Sequence, residues 1–182
     1  MLDYFGLTQI IPNLWRNNNN EEENVNITPA NIVKFLNDKF DMYSTRYMDT
    51  LISLSDRSRL AKSLNAHVYV SLHCNASNPS SKGMDVYVHK SNTNEENLKK
   101  SIAMGLSILK ESTLKLGFKK RAIQFANFQV LRENIVFRPT ILIEMGFVTN
   151  SDEADYFLKP KNIGAMALAI LMGLYNYLNY VL

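Results

Sequence analysis

Two side chains able to do hydrolytic chemistry follow apolar runs that predict buried β-strands. His73 ends the run "HVYVSLH", and Glu144 follows the apolar residues of "PTILIEM". A neutral imidazole can hold a metal ion, and a carboxylate beside it can take a proton from water. The pair therefore indicates metal-assisted hydrolysis. The structural alternatives are a strand-end histidine satisfied by a hydrogen bond and a glutamate that forms a salt bridge.

Other reactive side chains near these positions are predicted to have structural roles. Cys74 alternates to the strand face opposite His73, which favours a small buried hydrophobe over a thiol nucleophile. Asn75 is predicted to orient the loop behind His73. His67 lies on the same predicted strand, about 20 Å from His73, so the two cannot share one ion. His89 ends another predicted strand and is interpreted as an ordinary strand-end histidine.

The elements that must position His73 and Glu144 alternate between strands and helices. Strands are predicted for "HVYVSLH", "GMDVYVH", "FQVLR" and "PTILIEM". Helices are predicted for "TPANIVKFLNDKF", "SDRSRLAKSLNA" (capped by Ser53 or Ser55), "EENLKKSIAMGLSILKESTLKL" (ended by Gly117), "SDEADYFL" and the apolar tail. This order predicts an α/β single-domain sandwich with a central, mainly parallel sheet and helices on both faces. In such sheets, sites form at the carboxyl ends of strands.

Length and composition predict one globular domain. Residues 1–28, with an asparagine run and an acidic run, are predicted to be irregular, and residues 29–182 to form the domain. The chain is 46% hydrophobic and 20% charged, which excludes a disordered protein. A net charge of +3 is too small for a nucleic-acid footprint but fits mild attraction to an anionic polymer. A monomer without a nucleic-acid partner is expected.

The apolar tail from Ile163 to Leu182 carries no charge and is long enough to span a bilayer. Asn176 and Asn179 interrupt it and no basic flank follows, so we predict a buried helix and no membrane span. The residues expected to pack against the sheet are Ala167, Ile170, Leu171 and Leu174. The amino-terminal stretch has no basic segment followed by an apolar one, so it does not read as a signal peptide.

Several segments together resemble the zinc-dependent N-acetylmuramoyl-L-alanine amidases of the amidase type 3 family. They are "STRYMDTLISLSDRSRLAKSLNAHVYVSLHCNAS", "KGMDVYVH", "FQVLREN", "PTILIEMGFVTNSDEADYFL" and "ALAILMGLYNY", spanning Ser44 to about Tyr177. The resemblance implies a six-stranded sheet with helices on both faces and a Zn²⁺ cofactor. It also implies cleavage of peptidoglycan or muropeptides between muramic acid and L-alanine, in the cell wall or another extracytoplasmic location.

The resemblance also implies roles for individual residues. His73, in "SLHCNA", corresponds to a zinc ligand, and Glu144, in "IEMGF", to the general base that activates zinc-bound water. A Glu followed four residues later by Asn is the family's second ligand motif. Glu22 with Asn26 fits that spacing, and Glu21 and Glu23 remain alternatives.

The amino-terminal part of the sequence departs from the family pattern. "GLTQ" is a competing match for the second ligand motif, with Gln9 in the place of the Glu. The family's first strand and its "GHGG"-like loop, which carries the first His ligand, have no counterpart. We therefore expect the 182 residues, without a family-like front segment, to have little amidase activity. The alternative is a catalytically impaired amidase-fold protein that binds peptidoglycan or regulates another protein.

Overall fold

A computed structural model describes residues 41, 43, 45, 52–91 and 93–181 of the chain. In order, its elements are α1 (Leu54–Ser63), β1 (Tyr69–Asn75), β2 (Met84–His89), α2 (Glu95–Leu116), β3 (Lys120–Ala126), α3 (Gln129–Asn134), β4 (Thr140–Phe147), α4 (Ser151–Phe157) and α5 (Pro160–Val181). The irregular segment predicted for residues 1–28, the helix predicted from Thr28 and the candidate ligand Glu22 lie outside the described residues.

The ends of the helices follow from local capping. Ser53, one of the two predicted caps, begins α1 by accepting a hydrogen bond from the backbone N–H of Asp56. Asn94 caps α2 in the same way. Gly117 ends α2 in the left-handed conformation, with φ of 69°, as predicted. These caps determine where α1 begins and where α2 begins and ends.

The prediction of a strand at "FQVLR" is wrong, because these residues belong to the short helix α3. The strand lies just before it, as β3, in the more polar run "KRAIQFA". Val130 and Leu131 of α3 are buried against the sheet. A segment of five residues with only three apolar side chains does not distinguish a buried strand from one buried face of a short helix.

The four strands lie in the order β1-β4-β2-β3. β1 pairs parallel with β4, and β2 pairs parallel with β3, but β4 and β2 are antiparallel. Two of the three pairings are thus parallel, which agrees with a mainly parallel sheet. Because the middle pair is antiparallel, the carboxyl ends of β1 and β4 lie at one end of the strands, and the carboxyl ends of β2 and β3 lie at the other end.

Helices cover both faces of the sheet, as predicted. On one face α2 and α5 enclose the larger core, whose members include Leu72, Val86, Met104, Ile143 and Ile170. On the other face α1 and α3 cover a smaller cluster formed by Ala61, Tyr69, Val130, Leu131 and Leu142. The polar residues Ser71 and His73 of β1 lie on the same face as the smaller cluster.

The apolar tail forms α5 and packs into the larger core. The side chains of Ala167, Ile170, Leu171 and Leu174 are buried, as predicted. Within the described part of the chain, no single helix is long and apolar enough to cross a membrane. α4 and α5 satisfy that test only as a pair bent by 91°.

Candidate active site

A row of three ionisable residues crosses three neighbouring strands. His73 on β1 is the register partner of Glu144 on β4, and Glu144 is in turn the partner of Asp85 on β2. Partners on adjacent strands lie about 4.8 Å apart and point to the same face of the sheet. This is the face covered by α1 and α3, because Tyr69 and Leu142, which belong to the smaller cluster, lie an even number of residues from His73 and Glu144 and so point to the same face.

The row lies close to the carboxyl end of β1 but not at the end of β4. β4 continues past Glu144 to Phe147, so the expectation that Glu144 ends its strand is wrong. The register shifts between His73 and Asn75, where β4 uses one more residue than β1 to reach the next pair. Such a bulge bends the strand and changes the aim of its side chains next to the site.

His73 is held deep in the sheet. Only 5% of the residue is exposed, and its Nε2 lies 2.9 Å from Oγ of Ser71, two residues earlier on the same face. A hydrogen bond to one ring nitrogen fixes the orientation of the imidazole and directs the other nitrogen. Ser71 is a neighbour that strand periodicity alone places on this face.

Glu144 is a buried carboxylate with incomplete hydrogen bonding. The residue is 6% exposed, and within the described residues its Oε2 has no hydrogen-bond partner. Burial, together with the negative charge of Asp85, raises the pKa of Glu144 to about 7. A carboxylate with such a pKa suits proton transfer near neutral pH.

The raised pKa predicts how the stability of the metal-free protein depends on pH. Between about pH 4.5 and 7 the folded state keeps a proton on Glu144 that the unfolded state releases. Stability is therefore expected to fall as pH rises through this window, by up to about 3 kcal/mol for this group. Urea unfolding at pH 5 and pH 8, with and without Glu144→Gln, measures the effect. In Glu144→Gln the free energy of unfolding should depend less on pH, and the variant should gain most stability over the wild type at pH 8. The same pH dependence in both proteins would contradict the raised pKa of Glu144.

Asp85 was missed by the sequence analysis. It is 2% exposed and forms a 2.6 Å ion pair with Nε of Arg121 on β3. Its Oδ1, like Oε2 of Glu144, has no hydrogen-bond partner in the described part of the chain. A signal for Asp85 was present, since an acidic residue interrupts the apolar run "GMDVYVH" and a buried charge needs a partner.

Glu153, on the first turn of α4, joins the ends of two strands beside the site. Its Oε1 accepts a hydrogen bond from the backbone N–H of Gly83 before β2, and its Oε2 accepts one from the N–H of Phe147 at the end of β4, both at 2.7 Å. Asn150 in turn caps α4 through the N–H of Glu153. The carboxylate therefore fixes the strands that carry Asp85 and Glu144.

Glu153→Gln is expected to destabilise the protein by about 1–3 kcal/mol, because an amide offers one acceptor oxygen to two buried N–H donors. Chemical denaturation measures the loss. Asp152→Asn, on the exposed side of the same helical turn, is the control and should change stability by less than about 0.5 kcal/mol. Equal stability of the two variants would show that the carboxylate does not join the strands.

The remaining histidines lie away from the row. His89 ends β2 at the opposite sheet edge, about 13 Å along the strand from Asp85. Its Nδ1 accepts the N–H of Ser91, and its Nε2 lies 3.2 Å from Oδ1 of Asn127. His67 is exposed in a bend before β1, not in the strand as predicted. Neither reaches the site.

Cys74 is partly buried against the larger core, on the face opposite His73. Burial, with smaller contributions from the charges of Glu144 and Glu153, raises the pKa of its thiol to about 11. The thiol is therefore protonated at neutral pH and is a poor nucleophile. Asn75 uses its side-chain oxygen to accept the N–H of Ala76, which shapes the loop after β1.

The described residues supply only part of a metal site. No group of three His, Cys, Asp or Glu side chains suited to a metal ion occurs among them. His73 fits one ligand, and the buried, incompletely hydrogen-bonded Glu144 fits a base for water beside it. Further protein ligands would have to come from residues outside the described ranges, where Glu22 lies.

The described site pairs an imidazole with a high-pKa carboxylate on adjacent strands of an α/β sheet. The sequence profile of the N-acetylmuramoyl-L-alanine amidase family matches residues 11–176, and the chain belongs to that family. The chain is 30% identical over 139 residues to an uncharacterized cell wall amidase of Bacillus anthracis, covering 75% of this chain and 26% of that protein. It therefore spans about a quarter of the length of that relative.

Solved structures agree with the fold. The N-acetylmuramoyl-L-alanine amidase AmiC2 of Nostoc punctiforme superposes with a TM-score of 0.71 at 25% identity, over 82% of this chain and 79% of that one. The amidase from Clostridium difficile 630 superposes with a TM-score of 0.69 at 30% identity, over 82% and 81%. Four strands lie in the described part of this chain, against the six expected from the family resemblance.

Proposed function

We propose that the protein is an N-acetylmuramoyl-L-alanine amidase that acts on peptidoglycan or muropeptides outside the cytoplasm, with Zn²⁺ held by His73 and Glu22. The observation that carries the proposal is the pairing of His73 with Glu144 in one row across β1 and β4. Family membership and the cell wall amidase among the relatives support the substrate class. A monomer is proposed as the working form.

Ser71, His73 and Glu144 each have a chemical task in this proposal. Ser71 contacts Nε2 of His73 and so fixes the orientation of the imidazole that is proposed as the zinc ligand. Bound zinc would act as a Lewis acid toward water and toward the amide carbonyl. Glu144 takes the proton of the attacking water and returns it to the leaving amine of L-alanine. Burial of the row excludes bulk water and strengthens these interactions.

The test is digestion of a defined muropeptide by the zinc-loaded protein. Cleavage adds one water, leaving a carboxyl group on the lactyl ether and a free amino group on L-alanine, which mass spectrometry and amine labelling detect. Activity that a chelator removes and zinc restores supports the proposal. Cleavage at a sugar or peptide–peptide bond contradicts it.

A second candidate function, a binding or regulatory module without catalysis, is favoured by the positions of the histidines. The 182 residues contain three, and neither His67 nor His89 reaches the row. One imidazole with carboxylates is a weaker set for zinc than the ligands of most catalytic sites. Tight muropeptide binding without cleavage, in the presence of zinc, would favour this function.

A further inference from the structure

We propose that Arg121 binds a carboxylate of the substrate peptide, the α-carboxylate of the D-glutamate that follows L-alanine in peptidoglycan. This inference rests on the proposed function, because it assigns the group that recognises the peptide part of the same substrate. It concerns a residue of β3 that lies outside the row of His73, Glu144 and Asp85.

The guanidinium of Arg121 is fixed from one side. Its Nε donates to Oδ2 of the buried Asp85 at 2.6 Å, and its Cζ lies 5.0 Å from the centre of the Phe147 ring. Its Nη1 lies 3.4 Å from the backbone oxygen of Lys82. These contacts hold the plane of the guanidinium in one orientation, so little conformational entropy remains to be lost when a ligand binds.

The other side of the guanidinium has no hydrogen-bond partner among the described residues. Nη2 makes no hydrogen bond to the described residues, and 34% of the Arg121 side chain is exposed, whereas its partner Asp85 is 2% exposed. A fixed, half-exposed guanidinium with free N–H donors is suited to a planar carboxylate.

The distance between Arg121 and Glu144 determines which carboxylate of the substrate peptide Arg121 can reach. Arg121 is two strands away from Glu144, across Asp85, which corresponds to about 10 Å. An extended peptide advances by at most about 3.6 Å per residue. With the scissile amide at Glu144, a carboxylate on the second residue of the peptide therefore falls within reach of Nη2.

The test compares two synthetic muropeptides that differ only in this group. Each carries N-acetylmuramic acid, L-alanine and a γ-linked D-glutamyl-lysine, with either a free α-carboxylate or an α-carboxamide. Binding is measured by NMR titration of the full chain in a Glu144→Gln background, which prevents turnover. The free acid is expected to bind about 10- to 100-fold more tightly at low salt, the range for one charge-assisted contact.

The variant that isolates the contact is Asp85→Asn with Arg121→Gln, because removing Arg121 alone would leave a buried charge without its partner. It should bind the two muropeptides equally. The matched control is Asp56→Asn with Arg59→Gln, which removes an exposed ion pair on α1 and should keep the preference. If the double variant at 85 and 121 does not fold, Arg121→Lys takes its place, because it keeps a positive charge beside Asp85 but loses the planar set of N–H donors; it should lose most of the preference for the acid.

Equal binding of the acid and the amide by the Glu144→Gln chain that keeps Arg121 overturns the inference and leaves the proposed function intact. Preference for the acid in the double variant at 85 and 121 also overturns it, since another group must then read the carboxylate. Failure of the Glu144→Gln chain that keeps Arg121 to bind either muropeptide overturns the proposed function and this inference together.

Discussion

In a zinc-loaded chain that also carries a family-like front segment, Glu144→Gln is expected to hydrolyse muropeptides about 10²- to 10⁴-fold more slowly than the same chain with Glu144, the usual contribution of a general base. Glutamine keeps the shape and the buried position of Glu144 but cannot take a proton from water. The loss should fall on kcat, because the substrate contacts remain. Release of L-alanyl peptides under saturating substrate measures it.

Two controls separate this loss from misfolding. Glu96→Gln removes an exposed carboxylate that pairs with Lys100 on α2, and should leave turnover unchanged. The Glu144→Gln variant should unfold at higher denaturant concentration than the wild type at pH 8, because burial disfavours the charged form of Glu144. A variant that is more stable and nearly inactive has lost chemistry and not structure. Wild-type turnover in Glu144→Gln would exclude this residue as the base.

Most of the fold could be predicted because hydrophobic pattern and capping agreed. The long helix α2 has a cap at Asn94 and a stop at Gly117, and β4 follows a proline and contains three consecutive apolar residues before Glu144. The local sequence pattern could not show that the strand lies at residues 120–126 and that residues 129–134 form a helix. β3 is at the edge of the described sheet with charged and exposed positions, so its sequence lacks the apolar signal of the inner strands.

The residues of the site that could be predicted are those whose place follows from the pattern of one strand. His73 and Glu144 each follow a buried run, and parallel pairing of β1 with β4 makes them neighbours. Asp85 and Arg121 join them through the antiparallel register of β2 against β4 and a contact between residues 36 positions apart. Strand order and register depend on tertiary packing, which no local pattern of this sequence specifies. The assignment of Glu22 stays a prediction.

The topology explains why one histidine carries the metal proposal. β2 runs opposite to β1 and β4, so the strand ends that bear His73 and His89 lie at different edges of the sheet. Each ring nitrogen of His89 already has a partner, since Nδ1 accepts the N–H of Ser91 and Nε2 lies beside Oδ1 of Asn127. His73 is therefore the imidazole on which zinc binding by the described residues must depend.

His73→Ala is expected to abolish stoichiometric zinc binding. Residues that only orient a ligand contribute about 10- to 100-fold to metal affinity, and loss of the ligand itself should exceed that. Equilibrium dialysis followed by elemental analysis of the full chain gives the affinity without depending on turnover. His67→Ala, which alters an exposed histidine before β1, should bind zinc like the wild type.

Ser71→Ala gives an intermediate case in the same assay, because it removes the 2.9 Å contact to Nε2 while leaving the imidazole in place. A graded series, with the wild type and His67→Ala tightest, Ser71→Ala weaker and His73→Ala weakest, would assign the metal to His73. Zinc retained at full stoichiometry by His73→Ala would mean that the ligands all come from elsewhere in the chain. In that case the row across β1, β4 and β2 would supply the base but not the metal site.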